Sequence, residues 1–506
     1  MSTLHQPAHF LPLDDYASST SAAQVPVERE LASLGAAYRA SSSSAPGAAP
    51  ELQRAAHLAF LARALHPLPA SHVAFDSTRP WLVYWAAHAS YLLAAPLHAR
   101  LQARAAETLL KCQATLGGFG GAHGQTGHLM ATYAAVMAFA YVGDRHSWEA
   151  IDRPAMYAFL LSLKLPDGSF TVHVGGEVDV RATYCVVCVS LLLGIATPHL
   201  LEGCDEFIAS CQTYEGGLCA ASQPSYSAHA TLDRSAPRPA LGEAHGGYTF
   251  CAVASHLALS LLPLPPCSSS APQLDEAALL RWATSQQGAA SELGGFRGRT
   301  NKLVDGCYGW FAGAGMFACL QALLQRRAAW WKSEEEEEEK AQSAAEDEEW
   351  IDDPLSFSPS DAFLFDRLAL QEYVLLAAQD ASGGGGGGGL RDKPGARCDA
   401  YHTCYNLSGM SLAQHRLRVD AASRRALEDM WKSQQQQQQG DEEAEEEEAD
   451  AWRKACYVSC LAWSAEAAHK AVVGEAERNE LVPTHPVFNV AFPKLKEMLD
   501  WAYGQA

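Results

Sequence analysis

Asp305, Gly306, Cys307 and Tyr308 stand together, and Tyr401 and His402 follow about a hundred residues later. Together they offer a carboxylate, a thiolate and an imidazole, three ligands for a tetrahedral Zn²⁺. A structural zinc site closes all four positions with protein groups, whereas three leave one open for chemistry. Asp305 and Cys307 are two apart and cannot share a face within a regular helix. They converge if Asp305 is a non-helical cap and Cys307 lies in the first turn. Just upstream, Arg299 and Lys302 form a cationic pair suited to a phosphate group. A thiolate-holding metal beside such a pair suggests alkyl transfer from a diphosphate to sulfur. His245 and Tyr308 join that cationic set, because both fall at starts of apolar runs where helix N-termini favour anions. Asp392, in Arg391-Asp392-Lys393-Pro394-Gly395, could hold Mg²⁺ against a diphosphate or simply sit in the turn before proline. Trp81 and Trp85 lie one helical turn apart, as core packing or as an aromatic wall for an apolar ligand.

The elements that must position these groups come from a repeat. A glycine turn followed by an apolar anchor recurs at Gly117-Gly118-Phe119, Gly168-Ser169-Phe170, Gly216-Gly217-Leu218, Gly294-Gly295-Phe296 and Gly389-Leu390. Nine residues past the anchor stands a capping residue: His128, Asp179, Asp305 and Asp399, with Glu243 as the match in the third repeat after an insertion. Asp is a strong N-cap, and Glu suits the first turn. The runs that follow are apolar nearly all round and read as buried helices, with amphipathic segments between them as an outer layer. About five such repeats suggest an all-α, double-layered α/α barrel. Two residues after the caps come Met130, Arg181, His245, Cys307 and Tyr401, and five after come Tyr133, Tyr184, Tyr248, Trp310 and Cys404. These are two rings around one mouth, a polar one above an aromatic one, enclosing a concave pocket.

Composition limits the partners. The net charge of −21 over 506 residues is concentrated in two segments, 334–353 with twelve acids against one lysine and 441–450 with eight acids. The rest is nearly neutral and lacks the basic stripe that nucleic acid requires. No apolar run is long enough to span a bilayer. Fourteen scattered cysteines point to free thiols in a reducing, cytoplasmic setting, and Cys185 and Cys188 read as core. Residues 1–50 are rich in Ser, Ala and Pro and are expected to be a disordered tail. Residues 51–506 are read as one barrel domain, its first helix at 51–65, carrying solvated low-complexity inserts at 333–353, 382–389 and 433–450.

Taken together, several segments resemble the protein prenyltransferase β-subunit family, on its farnesyl-transferring branch. They are RPWLVYW (79–85), HLMATYAAV (128–136), GGEVDVRATYC (175–185), EAHGGYTFC (243–251), GRTNKLVDGCY (298–308), DKPG (392–395) and DAYHTCYNLSG (399–409). The resemblance covers roughly residues 70 to 430 apart from the inserts, plus the C-terminal helices. It implies an α/α barrel in a heterodimer with a helical-repeat α subunit, and Zn²⁺ on Asp305, Cys307 and His402. It implies that the diphosphate of farnesyl diphosphate meets His245, Arg299, Lys302 and Tyr308, with Mg²⁺ at Asp392. The isoprenoid would lie along Trp81, Tyr133, Arg181, Tyr184, Cys251 and Phe311. The acceptor would be the cysteine of a C-terminal C-a-a-X protein, its apolar residues near Trp81, Trp85 and Tyr401. Two positions depart from the family: Phe311 stands where a tryptophan is usual, with Trp310 one earlier, and Ala396 replaces a lysine after Pro-Gly. A geranylgeranyl-transferring relative and a non-catalytic helical scaffold are the competing readings. Bulky Trp81, Tyr133 and Tyr184 favour the shorter donor, and zinc content separates enzyme from scaffold, because a scaffold should purify without stoichiometric metal.

Overall fold

The computed structural model describes residues 18–44, 50–68, 70–227, 231–233, 236–265, 272–326, 364–380, 387–432, 444–467 and 472–505. Six helices form the inner layer: Arg79–Leu92, Leu129–Val142, Val180–Leu192, Gly246–Ser260, a segment running from 308 to 326 that opens as a π-helix (Gly309–Ala314), and Ala400–Gln414. Each packs on the next, and the last packs back on the first, closing a ring. Their side chains are buried on nearly every face, as their uniformly apolar sequences require. Further helices, four of them part-exposed and two (Cys204–Ser210 and Arg367–Tyr373) mostly buried, alternate with them as the outer layer: Arg54–Ala64, Ala99–Lys111, Arg153–Ser162, Cys204–Ser210, Glu276–Thr284 and Arg367–Tyr373. The five repeats read from sequence supply five inner helices. Arg79–Leu92 is the sixth, and no glycine turn announces it.

The glycine turns show why the repeat has its form. Each closes with a short antiparallel bridge from the outer helix to the anchor: Gln113 to Phe119, Lys164 to Phe170, Gln212 to Leu218, Gln287 to Phe296 and Gln379 to Leu390. The first glycine takes a left-handed backbone, φ +92° at Gly117 and +103° at Gly216. A side chain at either would also meet the next outer helix, at Ala155 and Ala278 respectively. The anchor's carbonyl then accepts the N–H of the capping residue, as Phe119 does from His128 (3.0 Å) and Phe296 from Asp305 (2.9 Å). The anchor N–H donates to a helix threonine at three turns: Phe119 to Thr132, Leu218 to Thr249 and Leu390 to Thr403, each at 2.9 Å. Where a glycine turn precedes an inner helix and no insertion intervenes, the helix therefore starts at a fixed offset from that turn.

Four expectations need correction. The third cap is His245, not Glu243: His245 N–H bonds the Leu218 carbonyl (3.1 Å) and its Nδ1 accepts from Gly247 N–H (3.0 Å). Residues 1–50 are not disordered throughout, because Ser19–Ser44 is a helix laid against segments 290–292 and 374–378. Its buried positions Glu28, Leu31 and Gly35 follow helical spacing, a narrow stripe hidden in a Ser/Ala-rich composition. The glycine run is not wholly solvated, since Gly388 and Gly389 are buried against the Arg54–Ala64 helix. The glutamate-rich insert also ends early, in a helix spanning Ala444–Leu461. The inserts at 333–353 and 433–443 lie outside the described residues. The first helix, Arg54–Ala64, falls within the expected span. An unexpected two-stranded antiparallel ladder joins His415–Val419 to Trp463–Ala467. No helix among the described residues is long and apolar enough to cross a membrane.

Gly117 and Gly175 separate close approach from backbone strain. Gly175 is also left-handed (φ +75°), but a side chain there meets nothing. Gly175→Ala should cost about 1–2 kcal/mol, the left-handed penalty alone. Gly117→Ala should lower the thermal midpoint distinctly further, and equal midpoints by calorimetry would reject the close-approach reading.

Candidate functional site

Asp305 and Asp399 cap adjacent inner helices, so their neighbours meet at one rim. Asp305 Oδ1 accepts from Cys307 N–H at 2.9 Å. Asp399 Oδ1 accepts from His402 N–H at 2.7 Å. The ligand atoms of Asp305, Cys307 and His402 all lie within 4.8 Å of one another, as a single metal ion requires. Asp305 Oδ1 lies 3.4 Å from His402 Nε2. Asp399 does more than cap: its Oδ2 lies 2.6 Å from His402 Nδ1. That contact holds the Nδ1 proton and turns Nε2 toward the cluster, the support that metal-binding histidines normally have.

The electrostatics suit a cation. Burial pushes the Cys307 thiol well above its usual range, and the Asp305 carboxylate pushes it further. Burial opposes charge on His402, but Asp305 and Asp399 outweigh it and raise the imidazole to about 10. A buried thiol, an imidazole and two carboxylates fit a thiophilic divalent ion of the zinc type. Asp392 stands close by, its carbonyl accepting from Gly306 N–H and from the Tyr373 hydroxyl, each at 2.8 Å. Burial and then Asp305 raise its carboxyl, while Lys393 pulls the other way through an ion pair. Its buried Oδ1 has no hydrogen-bond partner, so an oxygen-seeking cation fits there.

Beside this cluster opens a cavity of about 400 Å³. All six residues expected along an isoprenoid line it: Trp81, Tyr133, Arg181, Tyr184, Cys251 and Phe311. So do Trp85, Tyr401, His245 and Tyr308. Trp81 stacks on Trp85 (5.4 Å between rings) and lies 5.8 Å from Tyr133. Tyr401 meets Trp85 edge-on at 5.5 Å. The departure at Phe311 keeps the wall aromatic, since Trp310 and Phe311 pack on Phe250 at 5.3 and 5.7 Å. Phe250 and Tyr405 are wall residues that sequence reasoning missed. With His245 as the cap, Phe250 falls five residues later, the offset of Tyr133 and Tyr184, so the misplaced cap had concealed it.

At the cavity's polar edge, His245 Nδ1 is occupied by the Gly247 N–H, so the ring proton sits on Nε2. That atom lies 3.0 Å from the Tyr308 hydroxyl. Burial, then Arg299 and Arg181, lower the His245 imidazole to about 4, so it is a neutral donor at pH 7. Arg299 forms an ion pair with Glu243. Lys302 is exposed on the same loop, and neither it nor Arg299 lines the cavity. Arg181 is held by Asp179 (2.6 Å) and lies 5.1 Å over the Tyr248 ring.

Residues 52–490 match the family model described as the prenyltransferase alpha-alpha toroid domain. The chain is 36% identical over 388 residues to the protein farnesyltransferase subunit beta of Pyricularia oryzae, covering 73% of this chain and 65% of that protein. It is 36% identical over 365 residues to the subunit of the same name from Pisum sativum, covering 67% of this chain and 78% of that one. The Candida albicans protein geranylgeranyltransferase-I, solved in complex with GGPP, shares the fold at a TM-score of 0.56 and 15% identity, over 89% of this chain and 99% of that one. The chain belongs to the α/α-toroid protein prenyltransferase family, among the β subunits.

Asp399→Asn keeps the cap but cannot hold the His402 Nδ1 proton as a carboxylate does. Metal affinity should fall about 10- to 100-fold, read by chelator competition. An unchanged affinity would limit Asp399 to helix capping.

Proposed function

We propose that this chain is the catalytic β subunit of a protein farnesyltransferase, moving a farnesyl group from farnesyl diphosphate to the cysteine of a C-terminal C-a-a-X protein. One observation carries the reading: three metal donors within 4.8 Å of one another at the edge of an aromatic cavity. Asp305, Cys307 and His402 would hold zinc, with Asp399 orienting His402. Bound zinc supplies a Lewis acid that lowers the pKa of an incoming thiol, so no protein base is needed. Trp81, Tyr133, Tyr184, Cys251 and Phe311 bury the isoprenoid and place its first carbon toward the metal cluster. Trp85 and Tyr401 offer apolar faces to the acceptor peptide.

The diphosphate leaves with growing negative charge, and donors at that end stabilise it. His245 presents Nε2–H, and the Tyr308 hydroxyl beside it presents its own proton. Arg299 can exchange its exposed Glu243 partner for phosphate oxygens, with Lys302 on the same loop. Asp392 is suited to Mg²⁺ carried with the diphosphate, through its unpartnered Oδ1. The diphosphate-end cations of this chain sit on exposed loops, which fits completion of that end by an α subunit. The cytoplasm is the setting that matches free cysteines.

Co-expression with an α subunit should give prenylation of a C-a-a-X peptide that a zinc chelator abolishes. Cys307→Ala should abolish turnover, because the metal that activates the incoming thiol loses a ligand. Farnesyl diphosphate affinity should change little, because the sulfur does not line the isoprenoid wall. Unimpaired turnover in that variant would refute the assignment. Equal use of the twenty-carbon donor by the unaltered enzyme would favour the geranylgeranyl reading.

A further inference from the structure

At one buried position the five repeats disagree. Seven residues after the cap, four inner helices carry Ala135, Val186, Ala252 and Ala312, all buried and apolar. The fifth carries Asn406 there, and it too is fully buried. That helix is also the one that supplies His402. An amide inside a helix wall lowers stability unless its polar atoms are paired. Asn406 is paired on one side only.

Its Nδ2 donates to the His402 carbonyl one turn back (2.8 Å) and to the Arg391 carbonyl on the neighbouring loop (3.2 Å). Both amide protons are used, and Oδ1 has no hydrogen-bond partner. The amide lies against Gly306, the residue between Asp305 and Cys307. A side chain on Gly306 would overlap Oδ1 and Nδ2, the nearest atoms it would meet. The Gly306 N–H is already committed to the Asp392 carbonyl (2.8 Å), so Gly306 has only its Cα–H groups to offer the amide oxygen.

The contact continues along the helix pair. His402, Asn406 and Gly409 are four and three residues apart, on one face of Ala400–Gln414. A side chain at Gly409 would come within 2.6 Å of the Gly309 carbonyl carbon. The two helices that bear the metal donors therefore meet backbone to backbone at Gly309 and Gly409, and amide to backbone at Gly306 and Asn406. Cys307 and His402 project from this seam, so its width sets the gap between their ligand atoms. Three pieces of chain join at the one amide: the turn Asp305-Gly306-Cys307, the first turn of the His402 helix and the loop Arg391-Asp392. The alanine or valine of the other repeats could tie none of them.

We infer that Asn406 is a positioning residue of the metal cluster: its amide registers the His402 helix and the Asp392 loop against Gly306, and so fixes the spacing of the Asp305, Cys307 and His402 donors. The inference rests on the metal-site reading of that cluster and names what sets its geometry.

The test uses the α/β heterodimer. Zinc affinity is read by chelator competition, and ligand geometry by the visible absorption of the Co²⁺-substituted protein. Asn406→Ala removes both ties. Asn406→Ser keeps a hydroxyl that can bond the His402 carbonyl, as Ser408 bonds that of Cys404 (3.0 Å), but is too short to hold Arg391 as well. In both variants zinc affinity should fall about tenfold, the low end for residues that orient metal ligands, and the Co²⁺ bands should shift. Gly306→Ala should cost less affinity when Asn406 is already alanine, because the added carbon then has room; strictly additive losses would overturn the inference. A lower thermal midpoint with unchanged zinc affinity and an unchanged Co²⁺ spectrum in both Asn406 variants would reduce the amide to core packing and overturn it as well. If Asn406→Ala does not fold, Asn406→Ser decides. An unaltered heterodimer that binds no zinc would instead overturn the proposed function.

Discussion

The structure depends on a single backbone contact repeated around a ring: the capping residue of an inner helix donates its N–H to the apolar anchor of the glycine turn before it. It ties His128 to Phe119, His245 to Leu218, Asp305 to Phe296 and Asp399 to Leu390. Because the same contact sets these four helix starts, residues near them gather at one rim. Only then can a cap and a first-turn sulfur on one helix face a first-turn imidazole on the next. Asp305 and Asp399 show the economy of the arrangement. Both satisfy helix N–H groups, and both also direct a charged oxygen at His402.

Charge and apolar surface divide along the barrel axis for the same reason. Free N–H groups, caps and loop cations collect at helix starts, so anions belong there. One turn further in, helix N–H groups bond within the helix, and aromatic rings line the cavity. Tyr133 and Tyr184 solve the remaining problem of buried hydroxyls by reaching the Phe488 and Val487 carbonyls. The wall is thus held by hydrogen bonds while it presents an apolar face, combining the specificity of a polar network with the surface an isoprenoid needs.

Departures from the sequence reading share a cause. Glu243 lies two residues before the true cap, and the insertion in that repeat obscured the count. Its carboxylate pairs instead with Arg299, an alliance between loops of different repeats. The helix at Ser19–Ser44 carries a narrow buried stripe, and Gly35 fits because Leu293 approaches it closely. Gly388 is buried because the Arg54–Ala64 helix crosses over it and His57 hydrogen-bonds its carbonyl. In each case the decisive partner is remote in the chain, and local composition carries no trace of it.

The chain itself determined the repeat, the buried character of five inner helices and the caps at His128, Asp179, Asp305 and Asp399. These follow from local rules: glycine for left-handed turns, aspartate for helix starts and apolar residues at every helix face. The same rules placed Cys307 and His402 in first turns, which made the metal cluster legible. Ring closure through Arg79–Leu92, the pairing of Asp399 with His402 Nδ1, and Phe250 in the wall were decided only by the tertiary structure. So was the hairpin at 484–491, since its carbonyls find donors some three hundred or more residues away in sequence. A backbone carbonyl has no identity in a sequence, and what satisfies it depends on which helices the fold brings around it.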